Sequence, residues 1–328
     1  MILLVTGGSG FIGSNFIRIA LNKKIKIINL DKLTYATKNN RESFKKNKNY
    51  KFFKINILNK KKVKNIFTKY KPNGIIHFAA ESHVDRSIKS PEIFFKTNTI
   101  GTLRLLDLTR EYLEKNRNKK FRFIHVSTDE VYGSLKIKDK GFTEKNKFFP
   151  NSPYAASKAS SDHIVRSYFK TFEVPAIITN CSNNYGKNQF PEKLIPLIIL
   201  NALNKKILPV YGNGRQIRDW LYVDDHCNAI IKIFFNGKIG DTYNIGGNNE
   251  IKNIDLVKKI CVYLDKHFKK KKEDSFLNLI KFVKDRPGHD QRYSINSKKL
   301  EKELKWKPSY NFDRGLKLTI DWYLKKFS

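Results

Sequence analysis

The sequence has few cysteines, few acidic residues and no long apolar run. Its 328 residues include three cysteines, Cys181, Cys227 and Cys261. They lie far apart, are odd in number and lack C-x-x-C spacing, which argues against a disulfide framework and against a zinc site. Such cysteines are typical of a protein that works in the reducing cytoplasm.

No stretch is long and apolar enough to cross a membrane. The longest apolar run, residues 194–200, contains Pro196 and is much shorter than the roughly 20 residues of a spanning helix. The chain begins with strand-forming residues and lacks a basic segment followed by an apolar one, so we expect no export signal. We therefore predict a cytoplasmic protein without a membrane partner.

Acidic residues are scarce relative to basic ones: 30 Asp and Glu against 65 Lys and Arg give a formal net charge of +35. Such a charge would normally indicate nucleic acid as a partner. The lysines are however spread over the whole length among Asn and Ile, so a compositional bias explains the excess, and we expect no nucleic-acid partner. The competing hypothesis, a nucleic-acid-binding protein, predicts an affinity that falls steeply with salt.

What the sequence does contain is an alternation of short apolar runs with longer helical patterns. This alternation predicts an α/β fold, a Rossmann-type doubly wound parallel sheet with a smaller mixed α/β C-terminal substrate lobe. We expect residues 1–180 plus 222–248 to form the nucleotide-binding domain. Residues 181–221 plus 249–328, which are interrupted by Pro and Gly, should form the lobe, mainly from loops and short helices. The predicted strands are 2–5, 25–30, 51–57, 74–78, 121–126 and 176–179, and the predicted helices are 15–21, 61–69, 99–114 and 153–172.

A glycine-rich turn, T-G-G-S-G-F-I-G at 6–13, follows the first predicted strand. Glycines permit the tight turn and let backbone N–H groups approach a pyrophosphate at the positive end of the next helix. Asp31, at the end of the second strand, can bind the adenosine ribose and repels a 2′-phosphate. NAD is therefore predicted rather than NADP, although Lys32 beside Asp31 weakens that repulsion.

Tyr154 and Lys158 have the Y-x-x-x-K spacing that places two side chains on one face of a helix. An ammonium group beside a phenol lowers the phenol pKa, so Tyr154 could act as a base on a sugar hydroxyl while hydride leaves to a nicotinamide. Ser127 and Thr128, after the fifth strand, carry hydroxyls that can bind the same substrate oxygen.

Together these patterns resemble the extended short-chain dehydrogenase/reductase family over essentially the whole chain. Four further segments resemble, within that family, the 4,6-dehydratases that act on dTDP-glucose: 79–86 (AAESHVDR), 126–133 (VSTDEVYG), 180–186 (NCSNNYG) and 218–226 (RDWLYVDDH). The resemblance implies removal of water from dTDP-glucose, NAD as cofactor, and a homodimer paired through helices 99–114 and 153–172. Another nucleotide-sugar 4,6-dehydratase or a 4-epimerase stays open as the alternative.

Asp129 and Glu130 distinguish a dehydratase from an epimerase. An epimerase needs only oxidation at carbon 4, whereas a dehydratase must also remove the carbon 5 proton and protonate the hydroxyl that leaves carbon 6. Two adjacent carboxyl groups meet that demand. The resemblance implies that Glu130 is the base and Asp129 the acid, with Thr128, Tyr154 and Lys158 completing the catalytic set.

The motif and the resemblance also imply the binding residues, and none of them suggests a metal site. For the cofactor they are Gly7, Gly10, Phe11, Ile12, Gly13, Asp31, Lys32, Leu33, Thr34, Asn56, Ile57, Ala79, Ala80, Ser82, Thr97, Tyr154, Lys158 and Asn184. For the substrate they are Ser82, Thr128, Asn183, Lys193, Leu194, Pro209, Tyr211, Arg218, Asn253, Asp285, Arg286 and His289. At Asn56 the family usually has Asp, and we expect the Asn side chain still to bind the adenine amino group.

Overall fold

The computed structural model describes residues 1–37, 44–116 and 120–327. Its strands are β1 (Ile2–Thr6), β2 (Lys26–Asp31), β3 (Tyr50–Lys54), β4 (Gly74–His77), β5 (Arg122–Thr128), β6 (Ala176–Cys181), β7 (Asn183–Tyr185), β8 (Leu208–Tyr211), β9 (Ile217–Tyr222), β10 (Thr242–Ile245), β11 (Glu250–Lys252) and β12 (Ile280–Val283). Its α-helices are α1 (Phe11–Asn22), α2 (Lys60–Tyr70), α3 (Val84–Lys89), α4 (Pro91–Phe94), α5 (Gly101–Lys115), α6 (Pro153–Phe172), α7 (Leu194–Leu203), α8 (Val223–Asn236), α9 (Asn253–His267), α10 (Lys298–Leu304) and α11 (Phe312–Phe327). A π-helical segment, Phe95–Ile100, joins α4 to α5.

Seven strands form one parallel sheet in the order β10-β6-β5-β4-β1-β2-β3. From β1 the chain moves outward through β2 and β3 in one direction and through β4, β5, β6 and β10 in the other. The carboxyl ends of β1 and β4 therefore meet where the strand order reverses. Open α/β sheets bind their ligands in the crevice at this point.

Helices cover both faces of this sheet. On one face Phe16 of α1 packs in a cluster with Ile230 of α8. On the other face Val63 of α2, Leu105 of α5 and Val165 of α6 form a second cluster. Strands that are buried on both faces need nearly continuous apolar runs, which is the pattern that the first predicted strands show.

The remaining strands and helices form a second part with an apolar core of its own. Strand β9 pairs with β7 and β11, and β8 pairs with β12. Around these short strands pack α7, α9 and α11, with Ile198, Ile260 and Ile320 fully buried between them. Apolar residues at helical spacing give α9 its buried face, which closes the core of this part.

The predicted fold class is confirmed, and the six predicted strands and four predicted helices are all present with ends shifted by a few residues. Strand β10 is an unpredicted seventh strand, because its four residues are too few to show a pattern. The expectation of a lobe made mainly of loops and short helices is wrong, since α9 and α11 have 15 and 16 residues. Pro196 does not interrupt a helix; it lies in the first turn of α7, where its missing N–H breaks no hydrogen bond.

The division into residues 1–180 plus 222–248 and residues 181–221 plus 249–328 stays a proposal. Most of it agrees with the two apolar cores. Leu300, Leu304 and Trp306, however, come from the second range and pack in the cluster of α1 and α8. The chain thus returns to the large sheet after building most of the lobe.

The described helices include none that combines the length and the apolar character needed to cross a membrane.

The N-terminus of α6 gives a first testable prediction. Ser152 caps this helix, because its hydroxyl oxygen accepts a hydrogen bond from the Ala155 backbone N–H at 3.1 Å. We expect Ser152→Ala to lower the free energy of unfolding by about 1 kcal/mol, the usual cost of a lost N-cap. Ser167→Ala, at an exposed position of the same helix, is the control and should change it by less than about 0.5 kcal/mol. Chemical denaturation of both variants measures the difference, and equal effects would contradict the capping role.

Candidate active site

A deep cavity opens at the carboxyl ends of β1, β2, β4 and β5, and most of the predicted cofactor and catalytic residues line it. They are Gly7, Gly10, Phe11, Ile12, Gly13, Asp31, Lys32, Thr34, Asn56, Ile57, Ala79, Ala80, Ser82, Thr97, Thr128, Asp129, Glu130, Tyr154, Lys158, Asn183, Asn184 and Lys193. Residues from the glycine turn and from the fifth strand are far apart in the sequence. The parallel sheet brings them together, because the carboxyl ends of its strands lie at the same edge.

The glycine turn has the shape that a pyrophosphate needs. A Cβ on Gly7 would lie 2.6 Å from the Ala79 backbone, and one on Gly13 would lie 2.4 Å from the Gly7 carbonyl oxygen, so these two glycines are required by packing. A Cβ on Gly10 would meet only the Gly7 carbonyl oxygen, at 3.3 Å, and would otherwise project into the open cavity. Gly10 also precedes α1, whose first N–H groups are free to face an anion. The turn therefore fits a dinucleotide.

Asp31 is fixed at the end of β2. Its carboxylate accepts hydrogen bonds from the backbone N–H groups of Ser9 at 3.0 Å and Leu33 at 2.8 Å, and Asp31 lies in the cavity wall, where a ribose hydroxyl could approach it. Lys32 forms an ion pair with Glu81, Nζ to Oε1 2.8 Å, so its charge is balanced within the protein. Lys32 therefore does not offset the repulsion of a 2′-phosphate by Asp31, and the prediction of NAD rather than NADP is kept.

Two of the predicted cofactor residues, Leu33 and Asn56, make local backbone turns. Leu33 does not line the cavity; its backbone lies in the left-handed region (φ 58°) and turns the chain after Asp31. Asn56 does line it, and its side-chain oxygen accepts a hydrogen bond from the Leu58 N–H at 3.0 Å. An aspartate would make the same bond, so Asn56 preserves the local turn of the family.

A π-helical segment shapes the cavity wall beside Thr97. Within it, Asn98 is buried and exchanges two hydrogen bonds with the backbone of Glu81, at 2.8 and 3.0 Å, and donates a third to Ser157 Oγ at 2.9 Å. Asn98 thus joins the loop after β4 to α6. Single-turn π segments are frequent at functional sites, but no sequence pattern distinguishes them from an ordinary helix. Sequence analysis therefore missed Asn98.

Tyr154 and Lys158 both reach the cavity from α6, as their spacing predicts. The predicted low pKa of Tyr154 is not found in the structure. Burial, reinforced by the negative charge of Glu130, raises the pKa of Tyr154 well above its usual value, and the hydrogen bond with Thr128 opposes this. The Lys158 ammonium group donates to the Val126 carbonyl oxygen at 2.9 Å, and burial lowers its own pKa to about 8. Desolvation here outweighs the neighbouring cation.

Ser127 and Thr128 do not act as a pair. The Ser127 hydroxyl donates to the Asp162 carboxylate at 2.9 Å, away from the position that sequence analysis assigned to it. Thr128 donates to Asp129 Oδ1 at 3.3 Å and accepts from the Glu130 N–H at 3.3 Å. Thr128 alone is therefore placed to contact both the substrate oxygen and Tyr154.

Asp129 and Glu130 are adjacent carboxyl groups with different surroundings. Burial, followed by the charges of Glu130 and Asp219, raises the pKa of Asp129 well above its usual value. Its Oδ2 is buried without a hydrogen-bond partner. Burial also raises the pKa of Glu130, but the positive charges of Lys193 and Arg218 oppose this. Burial thus favours the protonated form of Asp129, whereas two cations favour the ionised form of Glu130.

A second cleft adjoins the first, and Glu130 lies in the wall of both. The predicted substrate residues in this second cleft are Asn183, Lys193, Leu194, Arg218, Asn253, Arg286 and His289. Ser82 and Thr128 line the first cavity. Pro209, Tyr211 and Asp285 line neither cavity, although Tyr211 contacts Arg286 and Asp285 contacts His289, which both line the second cleft.

Arg218 is a buried cation facing this second cleft. Its guanidinium donates to the carbonyl oxygens of Ile217 and Asp290, at 2.8 and 3.0 Å, and stacks on the Tyr293 ring at 4.2 Å. Among the residues that the structure describes, no carboxylate forms an ion pair with it. A buried guanidinium without a carboxylate partner suits a diphosphate, which it can bind with two parallel hydrogen bonds.

The loop 285–289 closes the outer end of the cleft. Asp285 anchors it by accepting hydrogen bonds from Gln216 at 3.0 Å and from His289 at 2.6 Å. Arg286 stacks on Tyr211 at 4.5 Å and forms an ion pair with Asp85, Nε to Oδ1 2.6 Å. Asp285 and Tyr211 thus hold the loop, which explains why they do not face the cavity.

In the segment 189–193 the sequence predicts only Lys193 as a site residue, but other residues of this segment also border the site. Gln189, Phe190 and Glu192 also line the first cavity. Tyr35 donates to Glu192 at 3.1 Å and packs edge-on against Phe190, and so this segment is held over the cofactor side. No spacing in Q-F-P-E indicates this, because the contact depends on how two distant loops meet.

No metal centre is found among the described residues, where groups of three His, Cys, Asp or Glu side chains suited to an ion are absent. The buried histidines have other partners. His77 bonds with Thr6 at 2.6 Å and Thr102 at 2.9 Å, and His226 bonds with Asn184 at 2.9 Å.

Comparison with known proteins gives close matches over the whole chain. The family model described as GDP-mannose 4,6 dehydratase matches residues 4–319. A dTDP-glucose 4,6-dehydratase of Escherichia coli is 52% identical, over 99% of this chain and 94% of that protein. The crystal structure of dTDP-glucose 4,6-dehydratase from Bacillus anthracis in complex with NAD has a TM-score of 0.87 at 45% identity, covering 99% of this chain and 97% of that one.

A second solved structure is dTDP-glucose 4,6-dehydratase from Streptomyces venezuelae with NAD and TYD bound. It has a TM-score of 0.91 at 39% identity and covers 99% of this chain and 97% of that one. The chain therefore belongs to the GDP-mannose 4,6 dehydratase family, and its relatives within that family include the dTDP-glucose 4,6-dehydratases.

Proposed function

We propose that the protein is a dTDP-glucose 4,6-dehydratase, which converts dTDP-glucose to dTDP-4-keto-6-deoxyglucose and water with NAD as cofactor. The observation that carries the proposal is the Asp129–Glu130 pair, in which Asp129 is buried and Glu130 is partly buried, and which lies in the same cavity as Tyr154 and the glycine turn. Relatives of this name that share about half of the residues over the whole chain support the same activity and the same nucleotide. The product belongs to deoxysugar synthesis.

The first half of the reaction is oxidation at carbon 4 of the glucose ring. Tyr154 accepts the proton of the carbon 4 hydroxyl, and Thr128 hydrogen-bonds to the same oxygen. NAD, held by the glycine turn and Asp31, would supply the hydride acceptor for carbon 4 and the hydride donor for carbon 6. Lys158 supplies a positive charge on the same helix as Tyr154, which opposes the rise in the pKa of Tyr154 that burial causes.

The second half is elimination of water across carbons 5 and 6. The carbon 4 ketone acidifies the carbon 5 proton, so a carboxylate is a sufficient base, and Glu130 is assigned this role. Asp129 donates a proton to the departing carbon 6 hydroxyl. Burial raises the pKa of Asp129, as a general acid requires, while the charges of Lys193 and Arg218 oppose the same effect at Glu130, as a base requires.

The second cleft is assigned to the nucleotide part of the substrate. Arg218 and Arg286 are placed to bind the diphosphate, with Lys193 beside them, and Asn183 and Asn253 contribute amide groups. Lys193 donates to the Ser82 carbonyl oxygen at 2.9 Å, which links the sugar end to the phosphate end. We propose that four of the predicted binding residues act indirectly, by supporting the residues that make these contacts. They are Leu33 on the cofactor side and Pro209, Tyr211 and Asp285 on the substrate side.

A 4-epimerase is the main alternative, and the carboxyl pair argues against it. Oxidation and reduction at carbon 4 alone require no acid or base at carbons 5 and 6. A buried carboxyl pair without a reaction to serve would be costly, because each charged form loses its hydration. A dehydratase acting on another nucleotide sugar is disfavoured by the names of the relatives.

The assignment predicts loss of one water from dTDP-glucose. Purified protein incubated with NAD and dTDP-glucose should give a product lighter by one H₂O, detected by mass spectrometry. UDP-glucose and GDP-mannose serve as matched controls and should react at least about tenfold more slowly, since a nucleotide contact is worth about 1.4 kcal/mol or more. A sugar nucleotide of unchanged mass but altered configuration would instead establish an epimerase.

The assignment of Glu130 predicts a separation of the two half-reactions. Glu130→Gln keeps the shape of the side chain but removes the base, so exchange of the carbon 5 hydrogen with solvent deuterium should fall by about 10²-fold or more while carbon 4 oxidation persists. The control is Glu144→Gln, a partly buried glutamate that bonds to the Asn244 N–H at 2.9 Å outside the cavity; it should change neither step. Retained exchange in Glu130→Gln would contradict the assignment.

We also infer a homodimer that works in the cytoplasm. The outer surfaces of α4, the π segment, α5 and α6 expose Ile93, Phe95, Ile100 and Phe172, and Phe172 lies under the Arg110 guanidinium at 4.8 Å. Exposed apolar side chains on α4, the π segment and α6 favour pairing of this part of the molecule with a second copy. The three unpaired cysteines favour a reducing compartment.

The dimer proposal predicts that Ile100→Asp yields monomers. A charge on this surface would have to be buried between copies, which costs several kcal/mol without a partner. Val262→Asp, on the exposed face of α9, is the control and should keep the native mass. Analytical ultracentrifugation distinguishes the two, and a dimeric Ile100→Asp protein would place the interface elsewhere.

A further inference from the structure

A buried carboxylate, Asp162, lies behind the redox part of the site and has no role in the mechanism above. It is 1% exposed and lies on α6 one turn after Lys158. It does not line either cavity, so it touches neither substrate nor cofactor. A buried carboxylate is costly unless its charge is compensated, which makes its presence here informative.

Hydrogen bonds from two strands fix this carboxylate. Asp162 Oδ2 accepts from the Ser127 hydroxyl at 2.9 Å and from Asn180 Nδ2 at 3.1 Å. Asn180 also donates to the Thr128 carbonyl oxygen at 3.1 Å. Asp162 is therefore tied to the ends of β5 and β6, the strands that carry Thr128 and the carboxyl pair.

Lys158 is held against the same strand. Its ammonium group donates to the Val126 carbonyl oxygen, one residue before Ser127, so Lys158 and Asp162 contact successive residues of β5. Lys158 is 3% exposed, and no carboxylate in the described part of the chain forms an ion pair with it within 4.0 Å. The charge of Asp162, one turn further along the same helix, raises the pKa of Lys158 against the effect of burial.

The other titratable groups around the pair do not supply this negative charge. His125 of β5 has Nε2 3.1 Å from Asp162 Oδ1, and burial lowers its pKa well below the usual value, as it does for His77 of β4. Both rings are therefore neutral. Burial raises the pKa of Cys181 on β6, so this group stays a thiol. On α6 itself, the exposed His163 follows Asp162 and is no source of negative charge in either protonation state.

Burial raises the pKa of the phenols Tyr132 and Tyr154, and so opposes their anionic forms. Asp129 and Glu130 line the cavity that Lys158 reaches, but among the described residues Asp162 is the carboxylate whose charge raises the pKa of Lys158 most.

We propose that Asp162 is a positioning residue that acts through Lys158: its fixed carboxylate is the buried counter-charge that keeps Lys158 an ammonium group, and it thereby sets the upper pH limit of carbon 4 oxidation. This proposal rests on the role proposed above for Tyr154 and Lys158. It extends that role to a residue behind the cavity wall that no substrate contact would identify.

Removing the negative charge of Asp162 should shift the pH dependence of carbon 4 oxidation in one direction. Asp162→Asn keeps a side-chain oxygen for Ser127 but removes the anion, so Lys158 loses its proton at lower pH. The alkaline limb of the rate of carbon 4 oxidation should move to lower pH by about 1 to 3 units, the usual effect of a nearby opposite charge. Asp162→Glu restores the charge and should restore the limb to within about 0.5 unit, even if the rate is lower.

The first experiment measures the rate of carbon 4 oxidation of dTDP-glucose against pH for the wild type, Asp162→Asn and Asp162→Glu. Asp107→Asn is the matched control, since Asp107 accepts a hydrogen bond from Tyr168 on the same pair of helices but outside the cavity. The alkaline limb of the pH–rate profile of Asp107→Asn should coincide with that of the wild type. If Asp162→Asn and Asp162→Glu lower the rate by equal factors at every pH and leave the limb unmoved, Asp162 is only structural and the proposal is wrong.

The second experiment needs no turnover. A lysine whose pKa is lowered on folding makes the protein more stable as pH rises through that value, because the unfolded chain binds more protons there. Burial raises the pKa of Asp162 itself to about 6, so the proteins are compared above about pH 7, where Asp162 is ionised. In that range the thermal midpoint of Asp162→Asn should start to rise at lower pH than that of the wild type, and this difference should vanish when Lys158→Met is present in both proteins. A difference in the same range that persists with Lys158→Met overturns the proposal. If dTDP-glucose is not a substrate, the proposed function fails while this measurement still tests Asp162.

Discussion

Exclusion of water from the carboxyl end of β5 is the constraint on which the site depends. Asp129, Glu130, Tyr154 and Lys158 are all held in low-dielectric surroundings, and desolvation is the largest cause of the pKa shift in each case. The same effect helps one step and hinders another. It keeps Asp129 protonated, as a general acid must be, but it opposes the phenolate form of Tyr154. The site therefore needs positive charge near Tyr154, and the carboxylate of Asp162 becomes relevant because it sustains part of that charge.

The fold holds the functional groups on rigid helices and strands that pack against each other. Tyr154 and Lys158 come from one helix that begins at a capped N-terminus, while Thr128 and the carboxyl pair follow the strand against which that helix packs. Glu130 lies in the walls of both cavities, and the cations that limit the rise of its pKa, Lys193 and Arg218, belong to the part that binds the nucleotide. A substrate diphosphate that engages these cations would also alter the surroundings of the base, so binding and elimination are electrostatically linked.

The strong positive charge of the chain needs no separate function in this description. Lys32 and Lys193, which border the site, have local partners in Glu81 and the Ser82 carbonyl oxygen, whereas many other lysines lie exposed on helix surfaces. A substrate with a diphosphate is attracted by such a surface, but the specific contacts come from buried groups such as Arg218, whose fixed position gives direction as well as charge.

The sequence by itself determined the sheet, the glycine turn, the Tyr154–Lys158 spacing and the carboxyl pair, because each depends on local periodicity or on residues adjacent in the chain. Tertiary structure decided what those residues experience. The pKa of Tyr154 moves opposite to the sequence prediction, Ser127 turns toward Asp162, and Asn98 and Glu192 join the site through contacts between distant segments. The physical reason is that burial and long-range hydrogen bonding depend on what packs around a residue, and spacing along the chain carries no record of it.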